Sequence, residues 1–131
     1  MICSIISDME INPKIEARLR SEIDALTDIY EQVDFIVGDS SGVEKQAHEI
    51  IKSFKYKSYF IHCHRVSMDP INKHEALVPD GIEMVKTEYM TAWRNRWMLK
   101  RSELAIICLS DRGTLPPPDD IPRMKIIDIS R

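Results

Sequence analysis

Apolar and polar positions along the chain change period several times, and each change marks an element. Met1 to Ser7 holds Ile2, Ile5 and Ile6 in a short apolar run that predicts a buried strand. Asn12-Pro13 then opens a helix, with Asn12 as N-cap and Pro13 at the first helical position. Ile15, Leu19, Ile23, Leu26 and Ile29 recur at three- and four-residue steps and form one apolar face. Val33 to Val37 is apolar throughout and too short for a helix, so it predicts a second strand. The turn Gly38-Asp39-Ser40-Ser41-Gly42 leads into a second helix from Val43 to Ser53, with Val43, Ala47, Ile50 and Ile51 facing inward. Tyr59-Phe60-Ile61 lies in a third strand.

The stretch from Val66 to Gly81 shows no sustained period and contains Pro70, Asn72, Pro79 and Gly81. It reads as a long loop of the kind that covers a site. A long helix is expected from Ile82 to Lys100, and Glu103 to Ser110 holds a fourth strand. Asp111 to Pro122 is a Pro-rich loop, and Met124 to Ile129 closes the chain's pattern with a fifth strand. Strands alternating with helices predict an α/β domain in three layers, a mostly parallel sheet of about five strands flanked by helices. Nothing divides residues 1–131 into more than one domain.

Composition narrows the function classes. The chain is 44% hydrophobic and 30% charged, an ordinary globular balance. A net charge of −3 gives no reason to expect general nucleic-acid binding. No apolar run is long enough to span a membrane. The three cysteines, Cys3, Cys63 and Cys108, form no C-x-x-C pair and fall in predicted strands, as buried reduced thiols do. A cytoplasmic location is the resulting expectation.

Ligands of parallel sheets sit at the carboxyl ends of the strands. That rule selects Ser7 and Asp8, the Gly38–Gly42 turn, and the segment from Ser110 to Thr114. In the turn, Gly38 and Gly42 admit close backbone approach, and Ser40 and Ser41 offer hydroxyls beside a helix N-terminus. The same residues also serve simply as a turn and a cap, and Asp39 would repel an anion. In the long helix, Tyr89, Trp93, Arg96 and Lys100 form an aromatic and basic stripe, and Arg94-Asn95 lies beside it. Tryptophans packed on the sheet with arginines reaching water would give the same pattern. His62 and His64 share a strand face without a second ligand pair, and His48 and His74 have no motif around them. Neither a metal nor a cofactor is therefore expected.

Taken in order, these motifs resemble the superfamily of Lonely Guy and DNA-processing proteins (SLOG), in its branch of small stand-alone Rossmann-like domains. Ile36-Val37-Gly38 with Gly42-Val43-Glu44 and Ala47 resembles its second turn and following helix. Arg94-Asn95-Arg96-Trp97-Met98 resembles its Arg-Asn-x-x-Met run, and Arg112-Gly113-Thr114 its Gly-Thr loop. The resemblance implies binding of a nucleotide or nucleotide-derived small molecule, with self-association through the helices. Ser7, Asp8, Gly38, Ser40, Ser41, Gly42, Arg94, Asn95, Gly113 and Thr114 would line that site. Ser7-Asp8 stands where the family has a Gly-Ser-Arg-like turn, and Leu115-Pro116-Pro117-Pro118 stands where it places a helix. Three readings follow: a binding module, a hydrolase of an N-glycosidic or phosphoester bond using Glu44 or Asp39, or an interaction domain whose site is degenerate.

Overall fold

A computed structural model describes residues 1–54, 58–61 and 76–130. Strand β1 (Ile2–Ser7) leads to helix α1 (Pro13–Ile29), strand β2 (Asp34–Gly38) and helix α2 (Gly42–Ser53). Strands β3 (Ser58–Ile61) and β4 (Ala76–Leu77) follow, then helix α3 (Met90–Lys100), β5 (Leu104–Cys108) and β6 (Lys125–Asp128). All pairings are parallel, in the order β4-β3-β2-β1-β5-β6. The chain winds outward from β1 to β4, then crosses back to the other side of β1. The strand order therefore reverses between β1 and β5, which opens a crevice at their carboxyl ends.

Period-two alternation sorts the core onto both faces of this sheet. Cys3, Ile5, Phe35, Val37, Leu104 and Ile106 point to one face. There they meet Ile15, Leu19, Ile23 and Leu26 of α1 and Val43, Ala47, Ile50 and Ile51 of α2. Ile6, Ile36, Ala105 and Ile107 point to the other face and meet Met98 and Leu99 of α3. Helices thus flank the parallel sheet. The apolar face predicted for α1 is buried except at its end, where Ile29 is exposed. Its cap is as expected: Asn12 Oδ1 accepts from the Ile15 N–H at 2.9 Å.

Two expectations are corrected. The sheet has six strands among the described residues, not about five, because Ala76–Leu77 pairs with β3 inside the expected loop. Two-residue strands have no period to detect. The rest of that loop, with His62, His64 and His74, lies outside the described residues. The long helix from Ile82 is also shorter. Ile82–Met84 and Thr87–Tyr89 form separate 3₁₀ turns, and the α-helix begins only at Met90. Val85 and Lys86 between them are extended, where β-branched Val85 gains nothing from helical geometry.

Polar groups inside this frame are tied to the backbone. The Ser4 and Ser102 hydroxyls bond each other, and both oxygens lie within reach of the Met98 carbonyl near the end of α3, at 3.2 and 2.8 Å, so one hydroxyl donates to the other and the second donates to that carbonyl. The same carbonyl also accepts from the Arg101 N–H at 3.1 Å, so it serves both the helix end and these hydroxyls. His48, on the inner side of α2, is buried. Burial, with Lys52 one turn away, lowers its pKa from 6.5 to about 4. The folded state therefore binds this proton less well than the unfolded chain. Its contribution to stability is complete above pH 6.5, declines as pH falls toward about 4 and is level below that. His48→Gln should flatten the dependence of stability on pH across that window, measured by urea denaturation of both proteins.

Candidate functional site

The carboxyl ends of β1, β2 and β5 carry most of the residues selected from the sequence. At the end of β2, Ser41 caps α2 and accepts from the Glu44 N–H at 3.1 Å. Glu44 Oε1 in return accepts from Ser41 N at 3.1 Å, which completes a capping box. The same oxygen accepts from Ser40 N at 3.1 Å and Ser40 Oγ at 2.9 Å. The donors available to an incoming phosphate are thus already held by the protein's own carboxylate. Val43 N donates to Met9 O at 3.2 Å, which uses another N–H of this helix start.

Arg94 enters the same place from α3 with 0% exposure. Its Nη2 donates to Glu44 Oε2 at 3.0 Å and its Nη1 to Ser40 Oγ at 3.0 Å. Asn95 Oδ1 accepts from Nε at 3.2 Å and from Nη2 at 2.8 Å. Asp39 Oδ1 lies 3.8 Å from Nη1. The two charges cover Gly38 so closely that an added Cβ would meet Glu44 Oε2 at 2.0 Å and Arg94 Cζ at 2.8 Å. Glycine is needed here for close approach, not for a special backbone angle.

The mouth between β1 and β5 is likewise closed by side chains. Ser7 Oγ donates to Cys108 O at 2.7 Å and accepts from Met9 N at 2.9 Å. The Asp8 carboxylate accepts from Ser110 N at 2.7 Å and Ser110 Oγ at 2.6 Å. Gly113 packs onto it, since a Cβ there would lie 2.8 Å from Asp8 Oδ2. Gly42 is covered by Glu10, whose Oε2 would meet its added Cβ at 2.6 Å. Cys3 and Cys108 are free and buried. Burial pushes Cys3 up to about 12 and raises Cys108 as well, so both stay protonated thiols.

The selected residues therefore fall into three groups. Gly38, Asp39, Ser40, Ser41, Glu44, Arg94 and Asn95 form one network around the buried charge pair. Ser7, Asp8 and Gly113 form a second with Ser110. Gly42, which packs under Glu10, and Thr114 belong to neither. Thr114 lines a cleft of about 350 Å³ between α3 and the loop after β5, with Tyr89, Trp93, Asn95, Arg96, Pro116, Pro117 and Asp120. Trp93 and Tyr89 are 42% and 59% exposed, so aromatic surface is open to a ligand there. The aromatic stripe was legible in the sequence. The contributions of Asp120 and the prolines were not, because only the fold sets that loop against α3. Glu44 as a cap was also missed, although the Ser41-x-x-Glu44 spacing carries it.

No family model, curated protein or solved structure matches this chain in the three comparisons made. Among the described residues no group of His, Cys, Asp and Glu could hold a metal ion, and no helix is long and apolar enough to cross a membrane.

Breaking the buried pair should be costly, because the remaining charge keeps its burial and loses its partner. Arg94→Met and Glu44→Gln should each lower unfolding free energy by about 3–5 kcal/mol. The double substitution should cost less than the sum of the two, and a denaturation double-mutant cycle measures the difference.

Proposed function

We propose that the chain is a three-layer, Rossmann-like binding module for a nucleotide-derived small molecule, seated in the cleft between α3 and the loop after β5. The observation that carries this reading is the make-up of that cleft. Aromatic faces of Tyr89 and Trp93 stand with Asn95, Arg96, Thr114 and Asp120 around about 350 Å³. That volume lies in the range of small-molecule sites. An aromatic face stacks on a base, a carboxylate accepts from ribose hydroxyls, and a guanidinium pairs with phosphate. α3 ends beside the start of β5, so its first turns lie toward the carboxyl ends of the strands. Ligands of such sheets gather at that end.

The ligand does not occupy the Gly38–Gly42 turn in this reading, since Glu44 and Arg94 fill that space. The same fact weighs against a hydrolase using Glu44. Both carboxylate oxygens are engaged and the side chain has no exposure, so no substrate reaches it. It also supports a second reading, in which the site inherited at the turn is degenerate and the domain serves interaction. Self-association would then use the exposed Met84, Tyr89 and Trp93.

Tryptophan fluorescence and calorimetry with a panel of nucleosides and nucleotides separate the two. Binding weakened at least about tenfold by Trp93→Ala is expected for the cleft. No binding at millimolar concentration, together with a dimer in sedimentation that Trp93→Ala dissociates, would leave only the interaction reading.

A further inference from the structure

We propose that the ligand is a nucleoside di- or triphosphate, and that its phosphate chain leaves the cleft over Trp93 and Arg96 to run along the outer side of α3 to Lys100. This inference rests on the cleft reading above and specifies the chemistry of its ligand. A second groove, of about 190 Å³, is lined by Trp93, Arg96, Trp97 and Lys100. It shares Trp93 and Arg96 with the first cleft, so the two meet at one ridge. A base in the first cleft has its 5′ substituent directed either inward, to the Gly38–Gly42 turn, or outward, over this ridge.

Charge selects the outward path. Inward, a phosphate meets Glu44 in the seat it would need, with Asp39 beside it and Asp8 closing the next crevice. Outward it meets cations. Arg96 and Lys100 are one helical turn apart, ~6 Å along the axis. Arg101 follows, with its guanidinium 3.8 Å from the centre of the Trp97 ring. Lys100 is exposed and has no acidic partner within ion-pair distance among the described residues. Among the described residues Arg96 has only Asp120 as an acidic partner, at 3.7 Å, with both side chains about two-fifths exposed. Such a pair contributes little and yields readily to a doubly charged phosphate. A groove edged by the Arg96 guanidinium and the Lys100 ammonium suits an anion bearing many oxygens.

The turn of separation between Arg96 and Lys100 decides the number of phosphates. One phosphate reaches Arg96 from the ridge. Engaging Lys100 as well requires a chain that spans the turn, which a diphosphate begins and a triphosphate completes.

Adenosine, AMP, ADP and ATP, with the guanosine and uridine series, are titrated into the wild-type protein and Lys100→Gln at low and high salt. Affinity should rise with each phosphate, with the triphosphate about tenfold or more tighter than its nucleoside, and the gain should shrink at high salt. In Lys100→Gln the ratio of triphosphate to nucleoside affinity should fall about fivefold. Equal affinity for nucleoside and triphosphate, or a ratio unchanged by Lys100→Gln, overturns the phosphate path and leaves the cleft reading standing. Failure of every compound to bind overturns both. Lys100 is exposed at the end of the helix, so the variant is expected to fold.

Discussion

Arg94 carries a permanent charge into a place with no access to water, and much of the carboxyl end of the sheet is arranged around it. A buried guanidinium is tolerable only when paired and fully hydrogen-bonded. Glu44 supplies the opposite charge, and Ser40 and Asn95 take further donors. Glu44 in turn reaches Arg94 because the capping box holds it at the first turn of α2. Gly38 is the residue that leaves space for both. One ion pair thus joins the end of β2, the start of α2 and the middle of α3, which lie on opposite faces of the sheet.

This arrangement changes what the strand ends can do. A helix start beside a glycine turn is ordinarily open to an anion. Here its N–H groups and hydroxyls already serve Glu44 and the Met9 carbonyl. Asp8 does the same for the crevice between β1 and β5 by accepting from Ser110. Room for a ligand remains one step outward, where α3 faces the Pro-rich loop. The electrostatics agree with that shift: acids stand at the inner positions, and Arg96, Lys100 and Arg101 stand along the outer side of α3. The cleft reading and its phosphate path both follow from this separation of charge.

The prolines after Thr114 have a part in it. Pro116 and Pro117 have no N–H to donate and disfavour an α-helix, so residues 113–117 form neither helix nor strand, and Leu115, Pro116 and Pro117 line the cleft with Tyr89 and Trp93. A helix in its place would present a different wall. Stiff apolar walls of this kind also lose little entropy when a ring packs on them.

The sequence pattern determined the parallel α/β class, the strands β1, β2, β3, β5 and β6, the helices α1 and α2 and most of the helices' buried faces. Those are local properties, since an apolar stripe or alternating run must face a core wherever it is placed. The break at Val85 and Lys86 was not legible, because residues 82–89 hold a helical apolar spacing although Val85 and Lys86 are extended and only Ile82 of the segment is buried. The two-residue β4 exists only because β3 presents an edge to it. For the site, the sequence named the charged and glycine residues at the strand ends but not their partners. Arg94 read equally well as a ligand cation or a side chain reaching water. Only the fold, by bringing Glu44 from 50 positions away to 3.0 Å, decided that it is a buried and paired charge. Electrostatic pairing depends on distance in space, and spacing along the chain does not encode it.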